Sequence, residues 1–397
     1  MSNSGSVLGW VASVCVIATA CMFPDRKIKE EKATATTHEA LGERPYTESN
    51  FVKIDKTSVI LTAFGGINEK GKAWGEAAPF LDQMQQRQDR SSEFAFCDQV
   101  FTGHLYGASI LLAVTGMATD AAGTCMQEIL FHHNNQIKEV VWSGIAGVSP
   151  QKGDLYGPQG IRRIDREAVM IGDLCISPLA INYDLHHSSV NDWEKGERWW
   201  SSEGGWWRLK WDNRNLMAGG PTTLADELLK VAQTVNLPEV PETLRPKIRA
   251  YHPDPENTMR RPKIYRYEEC AEVSSNTFWH GAPEDHLARR YVAELIGKNF
   301  KKETDADKVV AFTAMEAVSW MNVIEEWNEL HKTSIPFVNV RSASNYDQPP
   351  PGPNGRPVIS ARESLQKGFD LGGEEYAAQT AALPILKMFE RREPKKQ

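Results

Sequence analysis

The sequence predicts an α/β fold, a central sheet covered by helices on both faces, and three observations lead there. Apolar runs of about six residues recur along the chain; helical stretches separate them; and several runs stop at glycine pairs or at small and acidic residues. A strand buried on both faces loses its polar–apolar alternation and reads as a continuous apolar run, as in sheets sandwiched between helices. In open sheets of this kind small ligands bind beyond the carboxyl ends of the strands. With 41% apolar and 24% charged residues over 397, the chain supports a normal core in one large domain or two ordinary ones. Its net charge of −7 argues against a nucleic-acid partner bound through a broad basic surface.

Residues 7–23 are apolar, short for a membrane span of roughly 20 residues but suited to a signal-peptide core. Ala18-Thr19-Ala20-Cys21 is similar to a bacterial lipoprotein cleavage box, although no Lys or Arg precedes the run and Ala18 replaces the usual Leu. The expectation is export, periplasmic or membrane-anchored, with residues 1–23 as a signal peptide or a membrane or lipoprotein anchor. Residues 24–57, polar and aperiodic, read as a flexible tether. The folded domain is expected over 58–392.

Within it, residues 59–64 read as a buried strand stopped by Gly65-Gly66. Residues 109–114 form a second, followed by Thr115-Gly116 and an Ala-containing helix to about His132. Residues 139–144 and 172–177 are a third and fourth. The pattern lapses over 186–262, where Trp193, Trp199, Trp200, Trp206, Trp207 and Trp211 crowd together and prolines follow. That stretch reads as an insertion packed on the domain, with a lid over a ligand site and a membrane-surface or sugar-stacking patch as the other readings. Strand signals return at 270–274 and 336–340, and residues 363–391 read as one or two closing helices. Cys97, Cys125, Cys175 and Cys270 are widely spaced with no CxxC, which argues against zinc; isolated buried thiols are expected.

Five segments carry a resemblance. Val273-Ser274-Ser275-Asn276-Thr277-Phe278-Trp279-His280-Gly281 resembles the Val-Ser-Gly-Asp-x-Phe-Ile-x-Gly segment of the methylthioadenosine/S-adenosylhomocysteine nucleosidases. Met315-Glu316-Ala317 is similar to their Met-Glu-Ala, and Val340-Arg341-Ser342-Ala343-Ser344-Asn345 to their Val-Arg-Ala-Ile-Ser-Asp. Thr115-Gly116-Met117 with Ala121-Ala122, and Ser143-Gly144-Ile145-Ala146-Gly147 followed by Gly172-Asp173, are similar to their two glycine-rich turns. The stretch from Ser344-Asn345-Tyr346-Asp347 to Gly352 resembles the Ser-Asn/Asp-Phe-Asp-Arg-Pro-x-Pro-Gly of the purine nucleoside permease family, within the nucleoside phosphorylase superfamily. The resemblance implies that superfamily's three-layer phosphorylase/hydrolase-like fold, a mixed, twisted central sheet flanked by helices. A carrier needs several spans to form a path, and this sequence offers at most one, so "permease" does not describe the polypeptide acting alone.

The resemblance further implies cleavage of a ribosyl–purine bond. Glu316 would accept hydrogen bonds from the ribose 2′- and 3′-hydroxyls, and its charge would favour the cationic transition state. Met315 would pack on the sugar, Phe278 would stack on the purine with Trp279 at its edge, and Thr115, Gly116, Ser344 and Arg341 would complete the binding set. Asn345 stands where the nucleosidases carry an acid; its amide can bond the base but cannot protonate it. Asp347, two residues on, shares a face with Asn345 in an extended segment and is the candidate acid. Glu69 lies close to the position of the nucleosidases' water-activating Glu, with Asn68 in the nearer register.

Residues 64–74 hold Lys70 and Lys72 but no Arg, and 115–124 hold neither Lys nor Arg, so a phosphate dianion would lack bidentate partners. Hydrolysis is therefore expected over phosphorolysis, with phosphate a co-substrate only in the second case. No cofactor or metal is expected. The adjacent pairs His132-His133 and His186-His187 point apart, and the dinucleotide spacing G-x-G-x-x-G is absent. The partner is a purine nucleoside, and the resemblance implies a homo-oligomer. Two rivals stay open: a purine nucleoside phosphorylase, and a non-catalytic nucleoside-binding protein assisting transport, which Asn345 permits.

Overall fold

The computed structural model describes residues 56–133, 136–149, 153–157, 160–164, 169–184, 217–251, 260–276, 282–301, 304–347, 363 and 372–393. The expected signal or anchor segment, nearly all of the tether, the six clustered tryptophans, Phe278 and Trp279 lie outside them.

The chain opens with β1 (Thr57–Thr62), a hairpin of β2 (Gly65–Ile67) and β3 (Ala73–Gly75), and a single turn, α1 (Ala78–Leu81). Next come β4 (Gln85–Asp89), β5 (Gln99–Leu105), β6 (Ala108–Val114), α2 (Thr119–His133) and the long β7 (Ile137–Val148). A separate hairpin, β8 (Gly153–Gly157) and β9 (Gly160–Ile164), precedes β10 (Leu174–Ser177) and β11 (Leu179–Asn182). After β12 (Met217–Gly219) come α3 (Thr223–Ala232), α4 (Arg245–Tyr251), β13 (Ile264–Arg266), β14 (Cys270–Ser274) and α5 (Ala282–Phe300). The last described elements are β15 (Val310–Ala314), α6 (Ala317–His331), β16 (Phe337–Tyr346) and α7 (Glu374–Arg392).

One mixed sheet of twelve strands organises these elements, with helices on both faces. Strand β7 is its junction. Its first half pairs in parallel with β1, its far end pairs antiparallel with β15, and from Val140 to Val148 it pairs in parallel with β16. Beyond β1 the order runs β6, β5, β4; beyond β15 it runs β14, β11, β12; β16 leads to β10 and β13.

The continuous apolar runs have the cause expected of them. Val59 and Leu61 of β1, Leu111 and Ala113 of β6, and Val140 and Trp142 of β7 face the side covered by α2 and α6. The alternate residues Ile60, Leu112 and Val141 face the side covered by α3 and α7. A strand with two buried faces has no polar positions to show.

Two expectations are revised. Met217–Gly219 adds a strand beside β11, and α3 buries Leu224, Ala225, Leu228 and Leu229, so part of the stretch read as an insertion belongs to the core. The spacing of those four residues is that of an amphipathic helix, obscured in the sequence by the flanking tryptophans and prolines. The cysteines are not isolated thiols: Cys97–Cys125 and Cys175–Cys270 are disulfides. Their partners are 28 and 95 residues apart in sequence, and only the folded chain brings them into contact.

Candidate active site

Strands β14 and β7 and the head of α6 surround one buried guanidinium. Arg341, in β16, donates from Nε to Glu272 Oε2 at 2.5 Å, from Nη2 to Glu316 Oε2 at 2.7 Å, and from Nη1 to the Ile145 carbonyl at 3.2 Å. Its underside lies over the Trp142 ring, 5.0 Å from the centroid, and Trp142 stacks in turn on Trp320. A charge this deeply buried is tolerable only when paired and hydrogen-bonded. Burial alone would lower the Arg341 pKa; Glu272, Glu316 and Glu76 more than offset this and hold it above its ordinary value.

Glu272 sits in the middle of β14 with no exposure. Its Oε1 accepts from the Ala317 amide at 2.8 Å, the Glu316 amide at 3.4 Å and the Ser274 hydroxyl at 2.8 Å; Oε2 also accepts from Asn339 Nδ2 at 2.6 Å. The Ser274 hydroxyl in turn accepts from the Val318 amide at 3.1 Å. Helix α6 is therefore capped from the neighbouring strand, and a carboxylate at its positive end satisfies amides that have no partner within the helix.

Glu316 ends the β15 turn as the N-cap residue of α6, without capping it by its own side chain. Its Oε2 takes Arg341 and the Met315 amide, while Oε1 has no hydrogen-bond partner among the described residues. Burial raises its pKa, and the neighbouring Glu272 adds to the rise against the pull of Arg341.

A third carboxylate completes the cluster. Glu76, just ahead of α1 and 1% exposed, accepts from the Ala63 amide at the end of β1 and the Ile145 amide of β7, both at 2.7 Å. Burial lifts its pKa from an ordinary 4.5 to about 7; Arg341 opposes the rise and Glu316 adds to it. Gly144 makes room for this arrangement: a Cβ there would overlap Arg341 Nη1 and stand 2.8 Å from Trp142 Nε1 and 2.9 Å from Glu76 Oε1. With three carboxylates around one guanidinium the cluster carries surplus negative charge, which favours retention of protons.

A second group lies further along β16, past a register shift between Ala343 and Asn345. The bulge places Ser344 with its hydroxyl 2.8 Å from Asn345 Oδ1 and 3.2 Å from the Ala146 carbonyl. Asp347 is buried and accepts from Thr313 at 3.3 Å through Oδ2, while Oδ1 has no partner among the described residues. Burial raises its pKa well above the ordinary value, and the Asp285 carboxylate pushes the same way. A Cβ at Gly147 would meet Thr313, Asn345 and Asp347 together, so the strand end brings the predicted pair to one spot.

The predicted residues divide clearly. Glu316, Arg341 and Met315 meet in the first group, and Asn345, Asp347 and Ser344 in the second. Arg341 is committed to carboxylates and a carbonyl rather than open to a ligand. Thr115 is buried at the end of β6, its hydroxyl 2.8 Å from the Gly116 carbonyl, and Gly116 takes φ +85°, a turn that favours glycine. Glu69 is exposed in the β2–β3 turn, where Asn68 organises the backbone, and it is absent from the cluster. The carboxylate that β1 and β7 hold instead is Glu76, seven residues on, because the hairpin after β1 doubles the chain back before it enters the site. Glu272 was equally unmarked in the sequence; a charged residue inside an apolar strand, Ala271-Glu272-Val273, was the available signal.

Fold and cluster define an α/β protein with ionisable residues gathered between its central strands and the head of α6. A family model for purine nucleoside permease matches residues 159–387, more than half of the chain, and the protein belongs to that family. No curated protein matches it. Solved structures that it resembles include a methylthioadenosine/S-adenosylhomocysteine nucleosidase from Neisseria meningitidis in complex with methylthio-immucillin-A, with 16% identity, 85% of this chain and 99% of that one covered, and a TM-score of 0.46. A futalosine hydrolase mutant of Helicobacter pylori shares 14% identity over 85% and 99% of the two chains, with a TM-score of 0.46. An S-adenosylhomocysteine nucleosidase from Streptococcus pyogenes in complex with 5-methylthiotubericidin shares 12% over 85% and 97%, with a TM-score of 0.45. At this distance the chemistry has to be argued from the residues. Among the described residues no helix is long and apolar enough to cross a membrane.

Proposed function

We propose that the protein hydrolyses the N-glycosidic bond of purine nucleosides outside the cytoplasm. The observation that carries this reading is Glu76: a buried carboxylate poised to exchange a proton near pH 7, beside a second carboxylate with a free oxygen. A general base works best when its pKa lies near the working pH.

In the proposed reaction Glu76 takes a proton from water as its oxygen bonds to C1′ of the ribose. Glu316 Oε1 accepts from the sugar hydroxyls and offsets the positive charge on the ring. The bond from C1′ to the purine nitrogen breaks, its electron pair passes to the base, and Asp347, kept protonated by burial and Asp285, protonates the purine. Asn345 would hydrogen-bond the base edge, Phe278 would stack on the purine face, and Trp279 would lie at the base edge. Ribose and free base leave, and the two carboxyl groups exchange their protons with solvent.

A phosphate dianion would meet two carboxylates beside a guanidinium already engaged on three sides, and that repulsion favours water as nucleophile. Export is supported by the two disulfides, which persist in oxidising compartments. The deciding experiment incubates purified protein with adenosine, inosine and guanosine, with and without phosphate. Free base and ribose without phosphate are the expected products. Ribose 1-phosphate would identify a phosphorylase, and tight binding without turnover would leave only a nucleoside-binding protein.

A further inference from the structure

We propose that Glu272 is a positioning residue that balances charge in this site, holding Arg341 away from Glu76 so that Glu76 stays free to exchange a proton. The role rests on the reading of Glu76 as the base, and the geometry gives it substance. Arg341 forms ion pairs with Glu272 and Glu316 but none with Glu76. Yet Arg341 Nη1 and Glu76 Oε1 both border the space above Gly144. A small swing of the guanidinium would join them, and a paired Glu76 would be a poor base.

Glu316 and the Ile145 carbonyl also hold the guanidinium, and Glu272 is the most firmly anchored of its three partners. Its carboxylate is fastened by Asn339 from β16, by Ser274 on its own strand, and by the Ala317 and Glu316 amides at the head of α6. It thus presents a fixed negative charge to Arg341 Nε at 2.5 Å. Among the described residues, the charged groups facing Glu76 are Arg341 from β16 and Glu316 from the head of α6; the Ala63 and Ile145 amides complete its surroundings. Arg341 is the one cation among them, so its placement sets how far the effect of burial on the Glu76 proton is offset. Removing the Glu272 charge would let Arg341 approach Glu76 and act on it more strongly than it already does, and would lower the pH at which Glu76 ionises.

The test compares wild type, Glu272→Gln and Glu272→Asp. The readouts are 13C NMR titration of the Glu76 carboxyl carbon, assigned by its loss in Glu76→Gln, and the pH profile of kcat/KM. Glu272→Gln should move the Glu76 midpoint to lower pH by on the order of one unit, with the acid limb of kcat/KM moving by the same amount. Glu272→Asp keeps the charge but withdraws it, and should give a smaller shift in the same direction. A midpoint that stays within about 0.3 unit while activity falls evenly at all pH values would assign Glu272 a purely structural role and overturn the proposal. Should the Gln variant not fold, an unchanged or raised midpoint in the Asp variant overturns it equally. The NMR titration needs no turnover. A protein that cleaves no nucleoside would thus defeat the proposed function, while the Glu76 midpoint would still support or overturn the role of Glu272.

Discussion

Glu76 binds its proton more tightly folded than unfolded, because burial penalises its charge. Below about pH 4.5 it is protonated in both states, and its contribution to stability is fully present. As pH rises, the unfolded chain releases the proton first, and the contribution is lost by the time pH passes the folded value of about 7. Over that window wild type should lose about 3 kcal/mol that a Glu76→Gln variant does not lose. Urea unfolding of both proteins between pH 4.5 and 8 measures the difference; parallel profiles would refute the shift. The same variant should cut turnover by about two to four orders of magnitude if Glu76 is the base. At this scale the sequence was only partly legible. Glu316 and Arg341 were marked by motifs, and both lie in the cluster. Glu76 and Glu272 had no such mark, since what makes them unusual is a shared guanidinium supplied from far along the chain (Arg341 bonds Glu272 across 69 residues).

Among the elements, α7 is fastened to the sheet by one residue near its end. Arg392 forks between Glu227 of α3 and Glu139 of β7, and Glu139 is buried, with the Ser58 hydroxyl at 2.7 Å and the Lys138 ammonium at 3.9 Å as its further side-chain partners. The Glu227 arm is substantially exposed and contributes little. Arg392→Ala should therefore cost up to about 2 kcal/mol, mainly by leaving the buried Glu139 charge with only the more distant, exposed Lys138 as a cation. Adding Glu139→Gln should restore part of the loss. Denaturant midpoints of the two single variants and the double variant test this; a single-variant change below about 0.5 kcal/mol would mean that packing alone holds the helix. Strands with two buried faces were legible at this scale, within a residue or two for β1, β6 and β14. The edge strand β4, Gln85–Asp89, is exposed throughout and has no pattern to find. The long β16 was read only over its apolar first half, because its second half carries polar residues into the site.

Across the whole molecule the two disulfides act at different lengths. Cys97–Cys125 ties the loop ahead of β5 to α2, and Cys175–Cys270 ties β10 to the start of β14, two residues before Glu272. Loop entropy assigns about 4 kcal/mol to the first and about 5 kcal/mol to the second. Replacing both cysteines of the 175–270 pair by alanine should therefore lower unfolding free energy more than replacing the 97–125 pair; the reverse order would refute the loop-length account. The sequence by itself determined the α/β class, the family and the Met315-Glu316-Ala317 motif, because burial on two faces and short glycine and acid motifs are written in consecutive residues. The disulfide pairing, the share of the Trp- and Pro-rich stretch that joins the core, and the identity of the central carboxylates were decided only by tertiary structure. Each depends on which distant groups share one low-dielectric space, and no local pattern encodes that distance.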